Sequence, residues 1–190
     1  MNSLTSTSSL LVVESFLSLI CHHDRSLNNF FLQTIMGSKG IDNNGPTILF
    51  TERLKMRLAD PDDDADCLEI VRLYTDPNAG KGGNSRTGVD SIEGVRSKHR
   101  VSGPRAEFCT LAPPPKGMFF LVYLPAKEPS GQDTLIGNVA MSFRPEMPYP
   151  DIGYGILGPY EKQGYATEAG RRVLNFWRET IGVKEVWCGT

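Results

Sequence analysis

Basic charge is not in excess: the formal net charge is −2, so the chain carries no electrostatic footprint for nucleic acid. Cysteine is scarce. The four present, Cys21, Cys67, Cys109 and Cys188, show no metal-type pair spacing, so neither a zinc site nor a disulfide framework is indicated. A reducing, cytoplasmic setting is the expectation. Long apolar runs are missing too, since the stretch from Leu10 to Ile20 is interrupted by Glu14 and is too short to span a bilayer. The glycine-rich segment from Asp76 to Asn84 lacks the Gly-Lys-Ser/Thr ending of a P-loop. No Cys-His or Ser-His-Asp arrangement is legible, so a covalent acyl-enzyme is not expected.

What is present suits one domain with a buried core: 39% of the 190 residues are hydrophobic and 22% charged. Residues 1–46 read differently, as an extension that is disordered or a frayed helix. Ser and Thr cluster early, and no Lys or Arg precedes Arg25, where a secretory signal wants basic residues ahead of its apolar run. Met36-Gly37-Ser38-Lys39-Gly40-Ile41 looks like a second start, yet Ile41 stands where a myristoylation motif wants Ser or Thr. The folded domain is expected over 47–190.

Within it, Leu54, Met56 and Leu58 alternate with charged residues, as in a strand buried on one face. Pro61-Asp62-Asp63 opens a helix through about Tyr74, with Cys67, Ile70, Val71 and Tyr74 turned inward. Asp90, with Glu93 three residues on, predicts a capping box and a second helix through about Arg100. Its basic residues Arg96, Lys98, His99 and Arg100 are expected to be solvated. Met118 to Leu124 and Leu135 to Phe143, separated by turn residues from Pro129 to Asp133, predict a hairpin.

The segment from Asp151 to Gly158 contains a literal Gly-x-Gly-x-x-Gly. A dinucleotide fingerprint needs an apolar strand before its first glycine and a helix opening at the motif. Here Pro148-Tyr149-Pro150-Asp151 precedes and Pro159 follows. The segment therefore reads as a strand whose glycines permit a bulge or a close approach by another backbone. Val183 to Cys188 reads as a further strand, parallel to it.

Between these two, Gly158 to Ala169 reads as a tight loop feeding a helix. Ala166, Ala169, Val173, Trp177 and Ile181 fall on one helical face, and Gly182 ends it. The first N–H groups of a helix lack intrahelical partners. Gly164 has no Cβ and Ala166 little bulk, so a phosphate can lie on the amides of Gln163, Gly164, Tyr165, Ala166 and Thr167. The same pattern also suits a glycine that merely turns the chain into a core helix.

The spacing Glu161-x-x-Gly164-x-Ala166, followed by Thr167-Glu168-Ala169, resembles the acetyl-CoA signature of GNAT-type N-acetyltransferases, with Glu161 where that family usually has Gln or Arg. Thr51-Glu52-Arg53-Leu54-x-x-Arg57-Leu58 resembles the first strand of the branch that includes the ribosomal-protein N-terminal acetyltransferases. The resemblance implies an α/β (α+β) acyl-CoA N-acyltransferase fold, a mixed and mostly antiparallel sheet flanked by helices. It implies acetyl-CoA as cosubstrate, with its pyrophosphate on the amides around Gly164 and its pantetheine along the main chain of Ile156 and Leu157. The helices after the first strand would flank the acceptor cleft. Asp151, at a position often acidic in the family, is the candidate proton-handling carboxylate. Relatives continue with another helix and two more strands, so the chain reads as incomplete at its C-terminus.

The expected reaction is direct attack by a primary amine, of a protein N-terminus or a small molecule, on the thioester. No metal, nucleic acid or membrane enters it. Two alternatives stay open at this point: an inactive CoA-binding module, and a nicotinamide dinucleotide-binding protein.

Overall fold

The computed structural model describes residues 47–77, 79, 88–110 and 113–187. The N-terminal extension, most of the segment from Asp76 to Asn84, and Cys188 lie outside the described residues. Five strands lie side by side in chain order: β1 (Ile48–Phe50), β2 (Lys55–Leu58), β3 (Phe119–Leu124), β4 (Thr134–Ser142) and β5 (Asp151–Ile156). Every neighbouring pair is antiparallel.

The opening stretch forms a hairpin rather than a single strand from Leu54. Its turn is held by Thr51, whose N–H donates to the Leu54 carbonyl at 3.0 Å and whose hydroxyl accepts from the Leu54 N–H at 3.0 Å. The predicted β3–β4 hairpin is present, and Asp133 in its loop accepts from the Ala126 N–H at 3.0 Å.

Helix α1 (Asp64–Thr75) starts where its acidic residues predict, with the Asp63 carboxylate accepting from the Ala65 N–H. Helix α2 (Ile92–Ser102) starts one residue later than a box on Asp90 would place it. Ser91 is the cap, its hydroxyl accepting from the Gly94 N–H at 3.1 Å, because that N–H lies three residues beyond the cap. Both helices cover one sheet face, where Cys67, Ile70, Leu73 and Val95 pack with Phe119, Leu121, Tyr123 and Ala140.

The opposite face is covered by α3 (Tyr165–Asn175), which continues as a π-helical turn, Phe176–Ile181. Phe120, one residue out of step with Phe119 and Leu121, meets Phe176 with ring centroids 5.4 Å apart, and Trp177 meets Phe143 at the same distance. The sequence neighbours Phe176 and Trp177 are both buried there, as are Val173 and Leu174 in the turn before them. Each such buried side chain contributes about 1.5–3 kcal/mol. Gly182 ends the helix as expected, at φ 81°.

Of the two readings for the Asp151–Gly158 strand, a bulge or a close approach by another backbone, the bulge is not seen in β5. β5 pairs with β4 without interruption from Gly137–Ile156 to Ser142–Asp151, and the irregular register lies between Val122 and Tyr123 of β3. The close approach falls on the neighbouring strand, where a Cβ on Gly137 would collide with the Gly155 carbonyl oxygen. The segment expected as a parallel strand from Val183 makes one parallel bridge to β5 among the described residues, between Asp151 and Trp187. Ile152 N–H donates to the Trp187 carbonyl at 3.1 Å, and Trp187 N–H to the Pro150 carbonyl at 2.7 Å. No helix among the described residues is long and apolar enough to cross a membrane.

Candidate functional site

A cleft of about 710 Å³ runs along β5 from Asp151 to the N-terminus of α3. Gly153 and Gly155 of the Gly-x-Gly-x-x-Gly segment make its floor. Asn138, Ala140 and Ser142 of β4 stand opposite Gly155, Gly153 and Asp151, so these residues share the sheet face toward α1 and α2. With no side chain at 153 or 155, that face stays open. Tyr74 of α1 and Lys98 of α2 complete the wall across from the strand.

One end of the cleft is formed by Lys162, Gly164, Tyr165, Ala166 and Thr167. Two of the loop residues adopt left-handed backbone, Lys162 at φ 61° and Gly164 at φ 83°. The first intrahelical bond is Glu168 N–H to the Gly164 carbonyl at 3.0 Å, so the N–H groups of Gly164, Tyr165, Ala166 and Thr167 have no intrahelical acceptor. Gln163 is placed differently from its neighbours. Its side chain donates to the Pro159 carbonyl at 3.1 Å and its own carbonyl accepts from Arg53.

Ile156 and Leu157 both line the cleft, but their main chains are aimed differently. Leu157 donates its N–H to the Ile136 carbonyl at 2.9 Å and accepts from the Tyr160 N–H at 2.8 Å, and it also forms an isolated bridge with Ala79. Both its main-chain groups are engaged within the chain. Ile152 turns its N–H to the outer edge, toward Trp187, and the two-residue period of a strand places Tyr154 and Ile156 in that same register.

At the other end Asp151 pairs with Arg144 (Nη2 to Oδ2, 2.5 Å), and the Asp151 side chain is 19% exposed. Between the two ends lies a polar pair that periodicity did not single out. Asn138, buried within β4, donates from Nδ2 to the Tyr74 hydroxyl at 3.3 Å. Burial pushes the Tyr74 phenol up from its ordinary value, so the hydroxyl stays protonated with its hydrogen unspent on Asn138. The signal that could have marked this pair is an asparagine inside an apolar strand, since a buried amide needs a partner.

Within the basic cluster of α2, Arg100 is solvated as expected, in a pair with the exposed Glu93. Arg96 instead bonds the Pro61 carbonyl at 3.1 Å and Asp64 of α1 at 2.7 Å, and Lys98 lines the cleft.

Behind the α3 loop, the two stretches that resembled the family meet. The Thr51 hydroxyl donates to Glu168 Oε1, and Arg53 reaches Glu168 Oε2 from Nε at 2.7 Å and Nη2 at 2.6 Å. Burial acts to raise the Glu168 carboxyl, but the bonds from Thr51 and Arg53 outweigh it and hold the group below the usual carboxylate range.

Sheet order and helix placement are those of a GNAT-type acyl-CoA N-acyltransferase fold. A family model for the acetyltransferase (GNAT) domain matches residues 53–190, most of the chain, and the chain belongs to that family. Among solved structures it is similar to a protein assigned to the GNAT family from Bordetella pertussis, at 18% identity and TM-score 0.50, over 75% of this chain and 77% of that one. It is also similar to an acetyltransferase of the GNAT family from Bacillus anthracis, at 16% identity and TM-score 0.46 over 75% and 72% of the two chains. The ribosomal-protein-S5-alanine acetyltransferase from Vibrio fischeri shares 14% identity and TM-score 0.47 over 75% and 73%. No curated protein matches the sequence significantly.

Proposed function

We propose that this protein transfers an acetyl group from acetyl-CoA to a primary amine by direct attack, with both substrates held together in the cleft. The amine nitrogen bonds to the thioester carbonyl carbon, the carbon–sulfur bond breaks, the amine gives up a proton and the departing thiolate takes one. The observation that carries this reading is the single cleft joining four helix N-terminal N–H groups at one end to a carboxylate at the other.

A diphosphate suits the first end, because those N–H groups and the helix dipole both favour negative charge. The amides of Gly164, Tyr165, Ala166 and Thr167 would hold it, with Gln163 shaping the turn. Pantetheine amides suit the outer edge of β5 at Tyr154 and Ile156 in the manner of an added strand, with Leu157 giving apolar contact. The open floor at Gly153, where nothing lies within 4 Å of a Cβ position, gives the arm room. Asp151 stands where a proton could be taken from the acceptor, and the Tyr74 hydroxyl has a hydrogen to give.

A peptide α-amine is the acceptor that this site can serve with least machinery. Deprotonating a lysine amine of pKa about 10.4 at neutral pH costs about 4–5 kcal/mol, whereas an α-amine near 8 costs about 1 kcal/mol. One carboxylate, itself paired with Arg144, meets the smaller demand.

Calorimetric titration with CoA, paired with thiol release from acetyl-CoA in the presence of peptides with free N-termini, tests the reading. Micromolar CoA affinity with amine-dependent thiol release is expected. CoA affinity without release for any amine would reduce the protein to a CoA-binding module, and affinity for NAD in place of CoA would overturn the assignment.

A further inference from the structure

Glu168 stands in the first turn of α3, where an uncompensated carboxylate would compete with a ligand anion for the positive end of the helix. It is fully compensated. Besides the contacts of Thr51 and of the Arg53 guanidinium, the Arg53 main-chain N–H donates to Oε1 at 3.2 Å, so four donors fill the acceptor sites of one carboxylate. The same guanidinium gives Nη1 to the Gln163 carbonyl at 3.1 Å and lies over the Tyr165 ring, 4.6 Å from its centroid. A Cβ on Gly164 would come within 3.4 Å of Nη2. Arg53 therefore holds the loop at the Gln163 carbonyl and at the Tyr165 ring, and it is not among the residues that line the cleft.

We propose that Arg53 is a positioning residue for anion binding, an inference that rests on the acetyl-CoA reading above. It cancels the charge of Glu168 beside the ligand phosphates, and it clamps residues 163–165 so that the following amides face the cleft. Lysine cannot replace it, because the clamp uses a planar fork for the carboxylate, a third donor for the carbonyl and a flat face for the tyrosine ring. The anchor is itself fixed, since the Thr51–Leu54 turn sets the position of Arg53 on the sheet edge.

CoA titrations of the full chain and of Arg53→Gln, Arg53→Lys and the double variant Arg53→Gln with Glu168→Gln test this. Arg53→Gln should weaken CoA roughly ten- to thirtyfold, by exposing the ligand to an uncompensated carboxylate and by releasing the clamp on residues 163–165. Removing that carboxylate in the double variant should recover about two- to fivefold, a gain that loss of a merely structural contact would not produce. Arg53→Lys, which retains the charge and serves if the glutamine variant fails to fold, should fall between wild type and Arg53→Gln. Unchanged CoA affinity in Arg53→Gln, or in Arg53→Lys where only that variant folds, would overturn this inference alone, as would a double variant no tighter than the single one. A wild-type chain that does not bind CoA would overturn the functional reading and this inference with it.

Discussion

Gly153 of β5 stands opposite Ala140 of β4, and nothing lies within 4 Å of where a Cβ on Gly153 would be. The space above this pair is the floor of the cleft. The Cβ of a leucine there meets no clash and no left-handed backbone, so the variant should leave stability within about 1 kcal/mol of wild type while filling the cleft. Gly153→Leu is expected to weaken CoA binding at least about tenfold at an unchanged melting temperature, measured by calorimetry and thermal unfolding. Equal affinity would show that the ligand does not cross β5 at this point.

Asp151→Asn keeps the shape of the Arg144 partner and removes the proposed proton acceptor. Positioned acid–base groups contribute about 10²–10⁴-fold, so turnover should fall by at least the lower figure with CoA affinity unchanged. An equal loss in affinity would mark the ion pair as structural. Unchanged turnover would return the proton to solvent.

Gly164→Ala tests the loop backbone separately from its chemistry. Gly164 holds φ 83°, where a side chain costs about 1–2 kcal/mol, and its nearest new contact would be an ordinary one with Arg53. Urea unfolding should show that loss of stability, accompanied by weaker CoA binding because the amides of 164–167 are displaced.

The depressed Glu168 carboxyl makes part of the stability dependent on pH. Its folded pKa lies below the unfolded value of about 4.3, so its contribution is full above that value and is lost as pH falls through the folded pKa. Unfolding free energies measured from pH 6 to pH 3 should fall less steeply for Glu168→Gln than for wild type. Parallel curves would mean that Thr51 and Arg53 do not favour the ionised form.

Tyr74→Phe removes the acceptor for a buried amide donor, since Asn138 bonds the phenol oxygen. Leaving that N–H unpaired should cost about 1–3 kcal/mol in chemical unfolding. A neutral effect would mean that Asn138 finds another partner.

Much of the fold was legible because it follows from spacing along the chain. The alternation of Leu54, Met56 and Leu58, the apolar runs of β3 and β4, and the Ala169, Val173, Trp177 and Ile181 face of the last helix are each set by one element's own period. The loop around Gly164 was legible as a tight turn into an apolar helix, and its left-handed backbone at Gly164 came from the structure. The Ser91 cap, the hairpin turn at Thr51 and the π-helical end of the last helix were not, because neighbouring residues offered equally good local alternatives.

The sequence by itself determined that a short-sided loop precedes a helix and that a glycine-bearing strand precedes the loop, which are properties of adjacent residues. Only the tertiary structure decided that Arg53 would pair with Glu168, that Asn138 would hold Tyr74, and that Asp151 and the first residues of α3 would line one cleft. Those partners stand 115, 64 and more than a dozen residues apart along the chain. Charges and hydrogen bonds act over a few ångströms of space, and which distant residues come that close is settled by how the sheet and helices pack.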